Sequence, residues 1–125
     1  MPFTCPECSR PDGLIVTAFI ELPPDVWSDE IEVEIVECSG CRFRGVAVDE
    51  ESRRGALDSE CTRHVGYRVT EEEFESLRDA IKRCPDPANR SCECPYHRSV
   101  AQALAWGEEL RGANWRHRFR MEPAL

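Results

Sequence analysis

The sequence predicts an α+β fold: a small three-stranded antiparallel sheet at the N-terminus, followed by a two-helix module. Three observations predict it. The pairs Cys5-Pro-Glu-Cys8 and Cys38-Ser-Gly-Cys41 bracket a stretch patterned as a β-hairpin. A second group, Cys84, Cys92, Cys94 and His97, lies between two segments of helical pattern. Thr70 and Glu73 open the first of those segments with the spacing of a capping box.

Each element follows in order. Residues 14–22 (LIVTAFIEL) are apolar and rich in β-branched side chains, which suits a strand. Pro23-Pro24-Asp25-Val26-Trp27-Ser28-Asp29 interrupts the sheet pattern and reads as a loop. Residues 30–37 (EIEVEIVE) alternate, with Ile31, Val33 and Ile35 on one face and Glu30, Glu32 and Glu34 on the other. That pattern predicts a half-buried strand with an acidic outer face. Residues 42–48 (RFRGVAV) supply a third strand. Each C-x2-C sets two thiols on one tight turn, and the hairpin brings the turns together. Four thiolates then meet as the tetrahedral set that zinc favours in structural sites. Three strands hung on two such turns make a zinc ribbon, assigned to residues 1–50.

Residues 49–60 (DEESRRGALDSE) are polar and read as a loop or linker, with 51–60 assigned as the boundary between the ribbon and the helical module of residues 61–125. A short strand is expected over 65–69. The first helix has Thr70 as N-cap, glutamates at 71–73 facing the positive end of its dipole, and Lys82 and Arg83 in its last turn. Val69 and Phe74 are placed for a hydrophobic staple, Phe74, Leu77 and Ile81 share one face, and Pro85 and Pro87 end the helix. A second helix is expected over about 97–111, burying Val100, Leu104 and Leu110 and stopping at Gly112. Between the helices, Cys84, Cys92, Cys94 and His97 form the spacing C-x7-C-x-C-x2-H, an ordinary Cys3His zinc set. A rival set substitutes Cys61 or His64, since Cys61-Thr-Arg-His64 also has ligand spacing. Two zinc ions per chain are therefore expected, one at Cys5, Cys8, Cys38 and Cys41 and one at the second set.

Composition bounds the function. The chain has 125 residues and a net charge of −8. Residues 1–60 hold 14 acids against 5 arginines, while residues 61–125 are near neutral. Such a chain repels a phosphate backbone except where arginines cluster. No apolar run approaches the roughly 20 residues of a membrane span, and Met-Pro-Phe-Thr-Cys lacks the features of a signal peptide. A cytoplasmic location is expected, where eight cysteines point to metal rather than disulfides.

The segment 4–48 resembles the zinc-ribbon superfamily. Within it, Cys5-x2-Cys8, the long hairpin, Cys38-Ser-Gly-Cys41 and the pair Phe43-Arg44 are similar to the four-cysteine fingers of the ZPR type. That family binds a translation elongation factor; the 61–125 half has no counterpart in it, so no target is transferred.

Both sets fill four positions with protein ligands and leave none for substrate, and no nucleophile–base or phosphate-loop motif accompanies them. The expected function is a non-catalytic, zinc-stabilised protein-interaction or adaptor module with a protein partner. The alternative is a nucleic-acid-associated ribbon using Arg42, Arg44 and the arginines at 116, 118 and 120 beside Trp115. A third reading is a zinc enzyme around Cys61 and His64, with Asp58 and Glu60 nearby. Arg53-Arg54-Gly55 reads as a solvated, self-paired loop or an anion-binding one. Trp27 is either an interface anchor or a side chain folded back on the sheet.

Overall fold

The computed structural model describes residues 2–24, 29–52, 61–105 and 118–121; the side chains of 61, 62 and 103–105 are outside that description. Among the described residues seven elements follow in order: β1 (Leu14–Leu22), β2 (Glu30–Cys38), β3 (Arg44–Ser52), β4 (Cys61–Tyr67), α1 (Glu71–Arg83), α2 (Pro95–Ala105) and β5 (Arg118–Arg120). The strands form one antiparallel sheet in the order β1-β2-β3-β4-β5. The expected three-stranded sheet is thus a five-stranded one.

Three expected boundaries move for the same reason. β3 runs on to Ser52 because Asp49, Glu50, Glu51 and Ser52 pair with His64, Arg63, Thr62 and Cys61 of β4. Backbone pairing is indifferent to the polarity that made residues 49–52 look like a linker. β4 accordingly spans Cys61–Tyr67 rather than 65–69. Residues 53–60, including Arg53, Arg54, Asp58 and Glu60, lie outside the described residues, as do residues 25–28 with Trp27. In the tail, Arg118, Phe119 and Arg120 form β5 against β4. The pairing works because residue 66 is glycine: a Cβ there would lie 2.2 Å from the Phe119 ring.

The two faces of the sheet differ. On one, Ile20, Leu22, Ile31, Val33, Ile35, Val46 and Val48 meet Phe74 and Ile81 of α1 and Val100 of α2 in a single apolar cluster. The capping box of α1 is present as expected, with Thr70 Oγ1 accepting from the Glu73 N–H and Glu73 Oε1 accepting from the Thr70 N–H, both at 3.1 Å. Val69 and Leu77 pack against the same cluster. α2 begins at Pro95, two residues before its expected start; the Leu104 side chain, Leu110 and Gly112 are outside the described residues.

The opposite face corrects the expectation for residues 30–37. Glu30 and Glu32 are half-buried, but Glu34 is only 6% exposed. Phe3, Leu14, Val36, Ala47 and Met121 build a second apolar cluster on this side, so the acidic face is partly covered rather than solvated.

Candidate metal centres

The first centre is made by two turns of matching design. Ser9 follows Cys8 with φ 64°, and Arg42 follows Cys41 with φ 68°. Each turn closes through the left-handed region, at a cost of roughly 1–2 kcal/mol for a residue other than glycine. Backbone N–H groups point at the sulfurs: Glu7 donates to Cys5 Sγ at 3.4 Å, while Gly40 and Cys41 donate to Cys38 Sγ at 3.3 and 3.4 Å. The four sulfurs of Cys5, Cys8, Cys38 and Cys41 lie within 4.8 Å of one another. Two of the edges, Cys5–Cys41 and Cys8–Cys38, measure 3.6 and 3.8 Å. A tetrahedron with metal–sulfur bonds of 2.3 Å has edges of about 3.8 Å; a disulfide needs about 2.05 Å. The cluster therefore fits a tetrathiolate metal site.

The acid–base state of the thiols agrees with that fit. Burial opposes ionisation of Cys38, yet the Cys41 and Gly40 N–H groups and the neighbouring thiols bring its pKa down to about 7. Cys41, although the Phe43 N–H favours its thiolate, is pushed up to about 12 by desolvation and by the three thiols around it. Burial raises Cys5 as well. The Cys38 thiolate forms most readily and opposes ionisation of Cys5 and Cys41; a cation at the centre removes that conflict.

The second centre follows α1. Cys84 caps the helix, its N–H donating to the Ala80 carbonyl. Single ligand atoms of Cys84, Cys92 and His97 lie within 4.8 Å of one another. The Cys84–Cys92 edge is 3.8 Å, and Cys84 Sγ lies 3.3 Å from His97 Nδ1. Cys94 stands outside that mutual group, but its Sγ accepts from the His97 N–H at 3.2 Å. Despite partial desolvation its pKa is lowered, by that N–H and by the Cys84 and Cys92 thiols. Burial, together with Cys94 and Cys92, pushes Cys84 up to about 11 against the Asp86 N–H.

His97 is 1% exposed, and its Nε2 lies 2.6 Å from the Glu21 carbonyl oxygen. Nε2 is therefore the protonated nitrogen, and Nδ1 offers its lone pair toward the thiols. This is the arrangement that orients histidine ligands to metals. The Glu21 N–H in turn donates to the Pro87 carbonyl at 2.8 Å. The second centre thus fastens its loop along the outer edge of β1, where bare backbone groups would invite edge-to-edge pairing.

His64 joins neither cluster, which removes it from the rival set; the Cys61 side chain is outside the described residues. His64 instead faces Glu34 and Asp49. Asp49 escaped the sequence reading because it fell in the supposed linker; only the β3–β4 register reveals it. Arg44 pairs with Glu75 at 3.0 Å and Glu37 at 3.5 Å and lies 4.7 Å from the Phe74 ring centre. Its charge is spent within the fold. Arg42 is exposed, Arg118 and Arg120 lie on β5, and Trp115 and Arg116 are outside the described residues.

Among the described residues no helix is long and apolar enough to cross a membrane. No protein-family model, curated protein or solved structure matches the chain.

Proposed function

We propose that the chain is a non-catalytic, zinc-stabilised interaction module of the cytoplasm, built on a zinc ribbon and acting through a protein partner. The observation that carries this reading is the pair of cysteine clusters. Each has four candidate protein ligands: Cys5, Cys8, Cys38 and Cys41 in one, Cys84, Cys92, Cys94 and His97 in the other. Tetrahedral sets closed by the protein are structural in kind, and thiolate with imidazole suits zinc among the common divalent ions. Clusters of this kind hold a surface in place and leave recognition to it. The resemblance of residues 4–48 to ZPR-type fingers supports a protein as partner, without naming one.

The nucleic-acid alternative draws on Arg42, Arg44 and the C-terminal arginines. It loses most of its force at Arg44, whose guanidinium is already compensated by two carboxylates.

The test is elemental analysis of protein purified without added metal, followed by affinity capture with the holoprotein. Two zinc ions held through the cysteine clusters, and a partner captured by the holoprotein but not by chelator-treated protein, are the expected results. A disulfide-bonded, metal-free protein would overturn the reading. Sub-micromolar, salt-dependent binding to RNA or DNA at physiological salt would replace it with the alternative.

A further inference from the structure

The sheet face turned away from the helices carries a group of side chains that neither cysteine cluster uses. The register makes Glu21, Glu32, Asp49 and His64 successive cross-strand neighbours on β1, β2, β3 and β4. Glu34 lies two residues along β2, on the same face. Its Oε1 is 2.5 Å from His64 Nε2, and the Phe3 ring meets the imidazole edge-on at a centroid distance of 5.1 Å. Single ligand atoms of Glu34, Asp49 and His64 lie within 4.8 Å of one another.

An independent observation points to a missing partner at this place. Asp49 Oδ1 is buried and has no hydrogen-bond partner among the described residues. Native proteins satisfy nearly all buried polar atoms, and leaving one bare is costly, more so for a charged group. His64, as an imidazolium, balances one carboxylate, and it is already engaged by Glu34.

We propose that Glu34, Asp49 and His64 bind a divalent metal ion, with zinc the favoured one, at a third site on the sheet face opposite the helices. Imidazole nitrogen and carboxylate oxygen are each ordinary donors to such ions. The ion takes the place of the proton now between His64 Nε2 and Glu34 Oε1. Bonds of 2.0–2.2 Å put tetrahedral ligand atoms about 3.3 Å apart, so these two atoms separate by roughly 0.8 Å. Asp49 Oδ1 gains the partner it lacks. A cleft of about 160 Å³, lined in part by Glu32 and Arg90, reaches the site at Asp49. Three protein ligands leave one position to water, which sets this site apart from the closed cysteine centres.

The test uses the full chain with its cysteine clusters already loaded. Bound metal is counted before and after dialysis against micromolar Zn²⁺, and the ring nitrogens of His64 are followed by NMR. One added equivalent per chain is expected, together with a metallation shift at His64 Nε2. Asp49→Asn and His64→Ala should each lose the added equivalent while keeping the cysteine-bound metal; Glu71→Gln, an exposed helix carboxylate, should lose nothing. No added equivalent in the unaltered chain, or one that both variants retain, would overturn the proposal. If a variant does not fold, the unaltered chain's stoichiometry and His64 shift still decide. The adaptor reading stands or falls separately, on the cysteine-bound metal.

Discussion

The two cysteine clusters offer similar donor atoms but hold different kinds of structure. In the first, sulfurs in contact come from residues 36 and 30 positions apart. In the second, the separations are 8 and 13. Loop-closure entropy makes little of this: going from 13 to 36 residues adds only about 1 kcal/mol. What differs is the support around each cluster. Cys5 and Cys38 are themselves members of the small apolar cluster that Phe3, Leu14 and Val36 complete. Apart from the thiols, the N-terminal turn is tied to the sheet by the paired Phe3 and Leu14 backbones, the buried Phe3 ring and the Ser39 N–H on the Gly13 carbonyl, a short list of contacts. The second cluster sits beside Phe74, Ile81 and Val100, which belong to the larger core together with Cys84. The lesson is that one ligand chemistry builds structure where the core is thin and fastens an edge where it is thick.

The largest expected effect breaks the comparison if it fails. Apparent zinc-binding free energies in small zinc peptides are roughly 10–16 kcal/mol, and that binding is folding energy. Cys38→Ser should therefore unfold the N-terminal turns and lower the thermal midpoint severely, whereas Cys84→Ser should leave a cooperative, if weakened, transition. Equal damage in thermal melts would show that the second cluster is as indispensable as the first.

Phe74→Ala comes next. The side chain is 1% exposed between α1 and the sheet, and truncating a buried phenylalanine costs about 3–5 kcal/mol. A loss that size in denaturant unfolding would confirm that packing, not metal, carries the helical side. A loss below about 1 kcal/mol would reverse that assignment.

His97→Ala sharpens the picture of edge fastening. It strips the Glu21 carbonyl of its imidazole partner, and an unsatisfied buried group costs about 1–3 kcal/mol. Hydrogen exchange should speed up at the Glu21 amide, which donates to Pro87 in the same loop, and stay slow at the centre of β2. Uniform acceleration across the sheet would mean that the loop supports the whole fold.

The smallest effect has the opposite sign. Arg42→Gly relieves the left-handed backbone after Cys41, where φ is 68°. It should stabilise the protein by about 1 kcal/mol, less what glycine gains in the unfolded chain. No rise in the thermal midpoint would mean that the turn carries little strain.

Much of the architecture was legible locally. The two C-x2-C turns, the alternation over residues 30–37 and the capping box at Thr70 and Glu73 are short-range patterns. They emerge as the first cluster, β2 and α1. Cys84, Cys92 and His97 are close in sequence as well as in space, with Cys94 hydrogen-bonded beside them.

Tertiary structure alone decided the rest. Periodicity states which residues share a face, not whether that face is covered. Glu34 alternates as a solvated residue should, yet it is buried and paired with His64 of β4, whose ring Phe3 meets edge-on. Asp49 looks like the start of a linker until β4 pairs with it. β5 is only three residues long, too short for any pattern, and is recognisable only where Phe119 lies over Gly66. Cross-strand pairing depends on segments far apart in the chain, and local composition does not encode which of them will meet.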